Sequence, residues 1–421
     1  MSRSLHPIPN RDRIPVLDVA RGLAIFGILL VNMAHFSYPD LYLLMLGEDN
    51  FFSQQWHPRD HLTHDLLNIL IQAKFITMFS FLFGFGMIVM MERAEAQHQK
   101  FVPLYVRRLL ALFLFGTIHA FFIWDGDILT DYALLGFLLL FFRKRKPKTL
   151  IIWAVILFSV FTLLFAVQDA MSLLSPEMPL QEDGWKQQYV QEAKQAIEIY
   201  STGSFMDVAG QRIHDRITYM SMNGMLSLNP LLYIFSNLPY FSMFLLGAAF
   251  AKLKVFHQPE RHRRLLKRQW LSGVFIGVPL SVTGTLLDLD SLNLIGAPLL
   301  MFFYVTSLWH LHKRRTAQRL LALLSNVGRT SLSNYILQSV VCTLIFYNVG
   351  LGLYGSVYPF AGLVLSVAIF IGQLVISHVW LKYFRTGPLE WVWRFITYRK
   401  RHSFRVQSAL TATEDRSAKL N

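Results

Sequence analysis

His119 stands in TIHAFFIWDGDIL, just ahead of Asp125 and Asp127. A carboxylate at the adjacent turn can orient and charge an imidazole, which makes a general base poised near neutral pH. The bland reading of the same residue is a histidine hydrogen-bonded between apolar helices. Lys74 lies nine residues after Asp65, ~13 Å further along a helix at the usual rise. That is too deep to snorkel back to water, so a buried partner is expected, or a role as a point charge beside a developing oxyanion. Asp18 and Arg21, in LDVARGLAIFGILLVN, share a helical face at i,i+3 and can pair. Arg21 would sit ~7 Å into an apolar segment, either joining helices or walling a site for a phosphate-bearing ligand. In SNVGRTSLSNYILQ, Gly328 and Arg329 precede a helix start rich in Thr330, Ser331 and Ser333. Free N–H groups and an arginine suit a phosphate there, although small polar residues also simply cap helices.

A last group is His57, Asp60, His61, His64 and Asp65 in WHPRDHLTHD, where His57, His61 and Asp65, spaced by four, would share one helical face. Zinc could be held by such residues, but the spacing is loose and no second cluster supports it. A solvated helix start that lends acid–base groups to an outer site fits better, and no metal is expected.

The elements that must position these residues are apolar helices. Of 421 residues, 53% are hydrophobic and only 16% charged. A soluble domain of this size carries about 25% charged residues, so too little polar surface exists to cover a globule in water. The apolar residues come in blocks of about 20 separated by charged punctuation. They predict an all-α polytopic membrane bundle of about ten transmembrane helices, near 16–36, 66–91, 108–124, 128–142, 150–170, 229–251, 270–287, 293–311, 331–350 and 360–381. The sole cysteine, Cys342, excludes an intramolecular disulfide and a cysteine metal cluster.

Charge placement gives the direction. With both termini inside, the outer segments hold only Arg59, Lys186, Lys194, Arg212 and Arg216. Arg21 and Lys74 lie within spans, and every other one of the 40 Lys and Arg falls in an inner segment. The positive-inside rule therefore predicts cytoplasmic termini. The same distribution explains the net charge of +14: basic loops such as RKRKPK lie against an anionic inner leaflet, and no nucleic acid partner is implied. Residues 1–15 form a cytoplasmic arm with no cleavable signal, 16–398 the membrane domain, and 399–421 a tail expected to be disordered from about Ser403. Between them, 171–228 reads as an outer cap with one or two surface helices. GPLEWVWRFITYRK, with Trp391 and Trp393, reads as a helix lying in the inner interface.

The stretches LDVARGLAIFGILLVN, KFITMFSFLFGFG, IHAFFIWDGDIL, VGRTSLSNYILQ and FRTGPLEWVWR, in that order and spacing, resemble those of YeiB-like bacterial membrane proteins, from about residue 14 to 398. The resemblance implies a multi-pass protein of the bacterial cytoplasmic (inner) membrane. More distantly, Asp18, Arg21 and Gly22 resemble the D-x-x-R-G opening of transmembrane acyltransferases, of the heparan-glucosaminide acetyltransferase type and the envelope O-acyltransferases. Those enzymes pass an acyl group from cytoplasmic acyl-CoA to a sugar-like acceptor on the far side. Where the envelope enzymes carry a histidine at the outer end of the first helix, this chain has Asn32, with His35 a turn later.

The leading expectation is accordingly an acyltransferase with acyl-CoA as co-substrate, no permanently bound cofactor and a small-molecule or glycan acceptor. Asp18, Arg21, Gly328 and Arg329 would hold the phosphates. His119 or an outer-loop histidine would be the base, oriented by Asp65, Asp125 or Asp127, with Lys74 on the oxyanion. A transporter of a small polar or anionic metabolite is the alternative, and a membrane scaffold or sensor the third reading. Nothing in the sequence fixes the oligomeric state.

Overall fold

The computed structural model describes residues 14–47, 49–174, 184–222, 224–225, 229–400 and 403–406. Helices dominate, and the described residues hold no strand beyond one isolated bridge, Phe384 to Arg405. The elements are α1 (Pro15–Ser37), α2 (Asp40–Leu46), α3 (Pro58–Leu70), α4 (Lys74–Ala96), α5 (Phe101–Phe122) and α6 (Leu129–Leu139). Next come α7 (Pro147–Leu174), α8 (Gly184–Thr202), α9 (Phe205–Met222), α10 (Pro230–Ser236), α11 (Leu238–Lys252) and α12 (Arg263–Ser272). The chain ends with α13 (Val278–Leu286), α14 (Asp290–His312), α15 (Gln318–Arg329), α16 (Ser331–Phe346), α17 (Pro359–Tyr383) and α18 (Pro388–Tyr398). Prolines open α1, α3, α17 and α18, where the missing N–H costs nothing and the fixed φ suits the first turn.

Among the described residues six stretches are long and apolar enough to cross a membrane: 15–37, 58–96, 101–122, 147–174, 290–312 and 359–383. Three further segments of the ten expected are shorter apolar helices, 129–142, 238–252 and 331–346. The last, α12 to α13, is interrupted by a π-helical stretch at Gly273–Gly277. The second expected span is also not one helix. It breaks between α3 and α4 at Ala73, whose φ is 63°, so Lys74 opens a helix instead of lying deep within one.

The bundle has two chemically distinct ends. Ile14, Arg21, Arg93, Arg108, Arg329 and Arg394 surround one cavity, and Tyr38, Asp40, Asp65, Asp288 and Asp290 line another. The first marks a basic end and the second an acidic end.

The core packs through close helix contacts. Gly84 of α4 and Gly247 of α11 face each other's helices: a Cβ on Gly84 would lie 1.9 Å from the carbonyl oxygen of Phe244, and one on Gly247 1.9 Å from that of Phe81. These glycines sit in the paired stretches MFSFLFGFG and MFLLGAAFA, so small residues let the two backbones touch. Around them Phe81 meets Phe250, Phe256 and Phe302 edge to face, Phe250 stacks on Phe302, and Phe85 packs on Phe256. Gly247→Ala forces backbone against backbone and is expected to cost about 1–3 kcal/mol, read as a lower unfolding midpoint in detergent. A midpoint unchanged from the parent would contradict this contact.

The cap consists of α8 and α9, within the 171–228 segment. Tyr200 of α8 stacks on Tyr347 at 4.2 Å and packs on Tyr354 at 4.8 Å. The arm expected at 1–15 lies outside the described residues up to residue 13. Within the tail, Phe404 packs on Trp380, Phe384 and Trp391, and Arg385 N donates to the Phe404 carbonyl at 2.9 Å. Its remainder, from residue 407, lies outside the described residues.

Candidate functional site

Two histidine–carboxylate pairs meet at the acidic end, one on each acid of Asp125-Gly126-Asp127. His119 Nδ1 is 2.9 Å from Asp127 Oδ1, and His35 Nε2 is 2.8 Å from Asp125 Oδ2. The indole of Trp124 separates them, packing on Phe36 at 4.1 Å with its edge toward both imidazoles. His119, Asp125, Asp127 and Trp124 are all buried.

The helix sequence makes room for the His119 pair. Gly116 lies one turn before His119, and a Cβ there would come within 2.6 Å of Thr130 N and 2.8 Å of Asp127 Oδ2. Asp127 also accepts from Thr130 N at 2.9 Å and from the Thr130 hydroxyl. In the tautomer that donates from Nδ1 to Asp127, Nε2 is left with its lone pair. That Nε2 is buried without a hydrogen-bond partner. The imidazole is thus oriented on one side and free to take a proton on the other.

The sequence reading missed the group that holds this turn in place. Arg216, 1% exposed, donates from NH1 to the carbonyls of Asp125 (2.9 Å) and Asp127 (3.2 Å), and from NH2 to Thr130 Oγ1 (3.3 Å). It comes from the cap, on the same face of α9 as Val208, Gln211 and Asp215. An arginine beside an aspartate on the buried stripe of an amphipathic helix was the available signal.

Asp215 anchors that helix by accepting from Tyr42 OH (2.5 Å), Tyr200 OH (2.6 Å) and Gln211 Nε2 (2.8 Å). Burial, with Asp125 nearby, still pushes its carboxyl up to about 6. The folded protein therefore binds this proton more tightly than the unfolded chain does, and stability is expected to fall as pH rises from about 4 to about 6, by on the order of 2–3 kcal/mol. Comparison of unfolding midpoints at pH 4.5 and 7.5 checks this. Asp215→Asn should flatten the difference, and an equally pH-dependent variant would contradict the assignment.

The structure separates the other expected residues from this centre. Asp65 and Lys74 line a 700 Å³ cavity at the acidic end, as do His61 and His64. Leu30, Ala34 and Ser37 of α1 face that cavity, whereas His35 and Phe36 face Trp124. Helix α1 thus stands between the two places, so Asp65 does not orient His119 and Lys74 does not reach a group attacked there. The imidazoles of His61 and His64 both pack on Trp56 at 5.3 Å, and Asp60 accepts from the backbone N–H groups of His57 (3.1 Å) and Phe360 (3.0 Å). Among the described residues no three His, Cys, Asp or Glu converge as a metal site.

At the basic end Asp18, Arg21, Gly328 and Arg329 do come together, around a 290 Å³ cavity. Arg21 pairs with Asp18 at 2.8 Å and still lines the cavity. Gly328 marks a helix crossing, since a Cβ there would lie 1.8 Å from the Asp18 carbonyl oxygen. The α16 N-terminus is not open to a phosphate, because Glu390 already accepts from Leu332 N (2.7 Å), Ser333 N (3.1 Å) and Ser333 Oγ (2.5 Å). Burial pushes the Glu390 carboxyl up, against those hydrogen bonds. Three arginines to which the sequence reading gave no site role, Arg93, Arg108 and Arg394, complete the wall. Arg108 also lies 3.6 Å over the Trp393 ring, which clamps α18 to α5.

The cavity runs along α4 from Arg93 to Phe79, about 21 Å at about 1.5 Å per residue. Its far end is apolar: Phe79 and Phe83 pack on Tyr132 at 6.0 and 5.4 Å. Ser331 lines the cavity, and Tyr335, one turn further along α16, packs on His119 at 5.2 Å. An arginine-rich pocket thus leads from one end of the bundle toward the buried imidazole near the other.

Fold and sites together define an all-helical membrane protein with a buried His–Asp pair in its interior. Residues 250–400 match the family described as Protein of unknown function (DUF418). Over 395 residues, 94% of this chain and 96% of the relative, the sequence is 56% identical to Uncharacterized protein YxaH of Bacillus subtilis (strain 168). It is 30% identical over 412 residues (94% and 97%) to the Uncharacterized 39.9 kDa protein in amylase 3'region of Bacillus acidopullulyticus. With Uncharacterized protein YeiB of Escherichia coli (strain K12) the identity is 28% over 416 residues (92% and 97%). The chain belongs to this YeiB-like, DUF418 family. No solved structure matches it.

Proposed function

We propose that the protein is a transmembrane acyltransferase. It would bind an acyl-CoA from the cytoplasmic, basic end and transfer the acyl group to a hydroxyl or amine acceptor reaching His119 from the far side. The observation that carries this reading is the arginine-lined cavity whose wall residue Ser331 lies one helical turn from Tyr335, the residue packed on His119 with its free Nε2. Five arginines against two carboxylates, Asp18 and Glu390, suit a polyphosphorylated head, and the narrow apolar extension suits a flexible arm. With a hydroxyl acceptor, His119 Nε2 takes the hydroxyl proton as the oxygen attacks the thioester carbonyl carbon. That attack forms the C–O bond, and collapse of the adduct restores the carbonyl and breaks the C–S bond. The same proton passes from Nε2 to the departing thiolate, so ester and free CoA leave and no redox partner is needed.

The transport reading draws on one observation, that two cavities open at opposite ends of one bundle on either side of α1. A thermal-unfolding titration in detergent with acetyl-CoA, CoA and ATP separates the two. A ligand at 100 times its Kd adds about 2.7 kcal/mol of stability. Stabilisation by both CoA species beyond ATP, lost in Arg21→Ala, together with release of free thiol from acetyl-CoA, supports transfer. No shift with any CoA species overturns it, and solute flux in proteoliposomes without thiol release would select transport.

A further inference from the structure

The 700 Å³ cavity at the acidic end plays no part in acyl transfer as described above, and its wall has an unusual charge arrangement. Lys74 is 0% exposed and lines it, yet no carboxylate lies within ion-pair distance of Nζ among the described residues. Its one partner is the Asn68 carbonyl at 2.7 Å, freed where α3 breaks before Ala73. An ammonium has three donors, so two are left unanswered among the described residues, on a side chain that lines the cavity wall. A buried cation answered only by a carbonyl is an incomplete ion pair. A second donor points the same way: Trp56, on the cavity wall, has its indole N–H buried without an acceptor.

The rest of the wall has the opposite character. Asp40, Asp65, Asp288 and Asp290 are acceptors that call for hydroxyl or amine groups. Four carboxylates around one lysine disfavour a dianion such as a phosphate monoester, so an anion held here carries a single charge and places it on Lys74. The volume lies within the range of small-molecule sites, about 300–1,000 Å³, and exceeds the needs of a lone ion. Trp56, held between His61 and His64, offers an aromatic edge to a sugar-like ring.

We propose that this cavity is a binding site for a hydroxylated monocarboxylate of sugar-acid size, with the carboxylate on Lys74 and the hydroxyl or amine groups toward Asp65 and the α13–α14 turn. The site does not depend on acyl transfer, because α1 separates it from His119.

The test is a thermal-unfolding titration of the full-length protein in detergent with four probes. Glucuronate and muramic acid carry the carboxylate; glucose and glucosamine are counterparts without it. The two acids are expected to stabilise saturably, with at least tenfold weaker binding of the counterparts. Lys74→Met should abolish the preference. Should that variant fail to fold, Asp65→Asn decides instead, keeping glucuronate binding and weakening muramic acid relative to it. His119→Gln should leave every one of these responses unchanged, which keeps this result separate from the fate of the transfer reading. Equal binding of all four probes, binding of none, or an intact preference in Lys74→Met would each overturn the proposal.

Discussion

Arg216→Met is expected to destabilise the protein by about 3 kcal/mol or more, the largest effect of any single change in the cap. The guanidinium is the donor for two buried carbonyls, those of Asp125 and Asp127, and it also reaches Thr130. Each buried acceptor left without a donor costs about 1–3 kcal/mol, and methionine fills the volume without supplying one. Arg216→Lys should recover only part of the loss, because an ammonium cannot span two carbonyls and a hydroxyl as a planar fork does. Unfolding midpoints of the three proteins test the ranking. Hydrogen exchange over 124–130 should accelerate most in the methionine variant, since those carbonyls set the turn. A methionine variant that melts with the parent would show that the turn is held by its own strand of sequence and not by the cap.

This dependence was not legible in the sequence, for a physical reason. The partners of Arg216 are backbone carbonyls about ninety positions away, and carbonyls carry no residue identity to read. Helices, by contrast, announce themselves through uninterrupted apolar runs, so all ten expected segments fall on helices. What the runs could not supply was continuity: the break at Ala73 leaves hydropathy unchanged but converts Lys74 from a mid-span residue into a helix opener. The pairing of His119 with Asp127 lay within one motif and was within reach of local spacing. The pairing of His35 with Asp125 spans two helices distant in sequence, and only the fold brings it about. Likewise Arg93, Arg108 and Arg394 were legible only as inner-side charges, because a basic residue at a helix end reads the same whether it faces a leaflet or a cavity.

The same geometry sets a contrast between the two histidines that separates catalysis from structure. In the proposed reaction His119→Gln should lower kcat by about 10²–10⁴, the usual contribution of a positioned general base, while the stabilisation conferred by CoA stays unchanged. Glutamine keeps a hydrogen-bonding group in place but cannot accept and return the proton. Asp127→Asn should lower kcat as well, although it touches no substrate: the amide can donate to Nδ1, which favours the tautomer that protonates Nε2 and removes the free lone pair. His35→Gln should behave differently. The His35 Nε2 is already occupied by Asp125, so its loss should move the unfolding midpoint more than kcat. If His35→Gln proves the slower enzyme and His119→Gln stays within a few-fold of the parent, the base is on α1 and the cavity below Tyr335 does not lead to the reacting centre. If both variants retain full turnover, neither pair is the base, and the buried carboxylates of this turn serve only to fix the turn against α1 and α5.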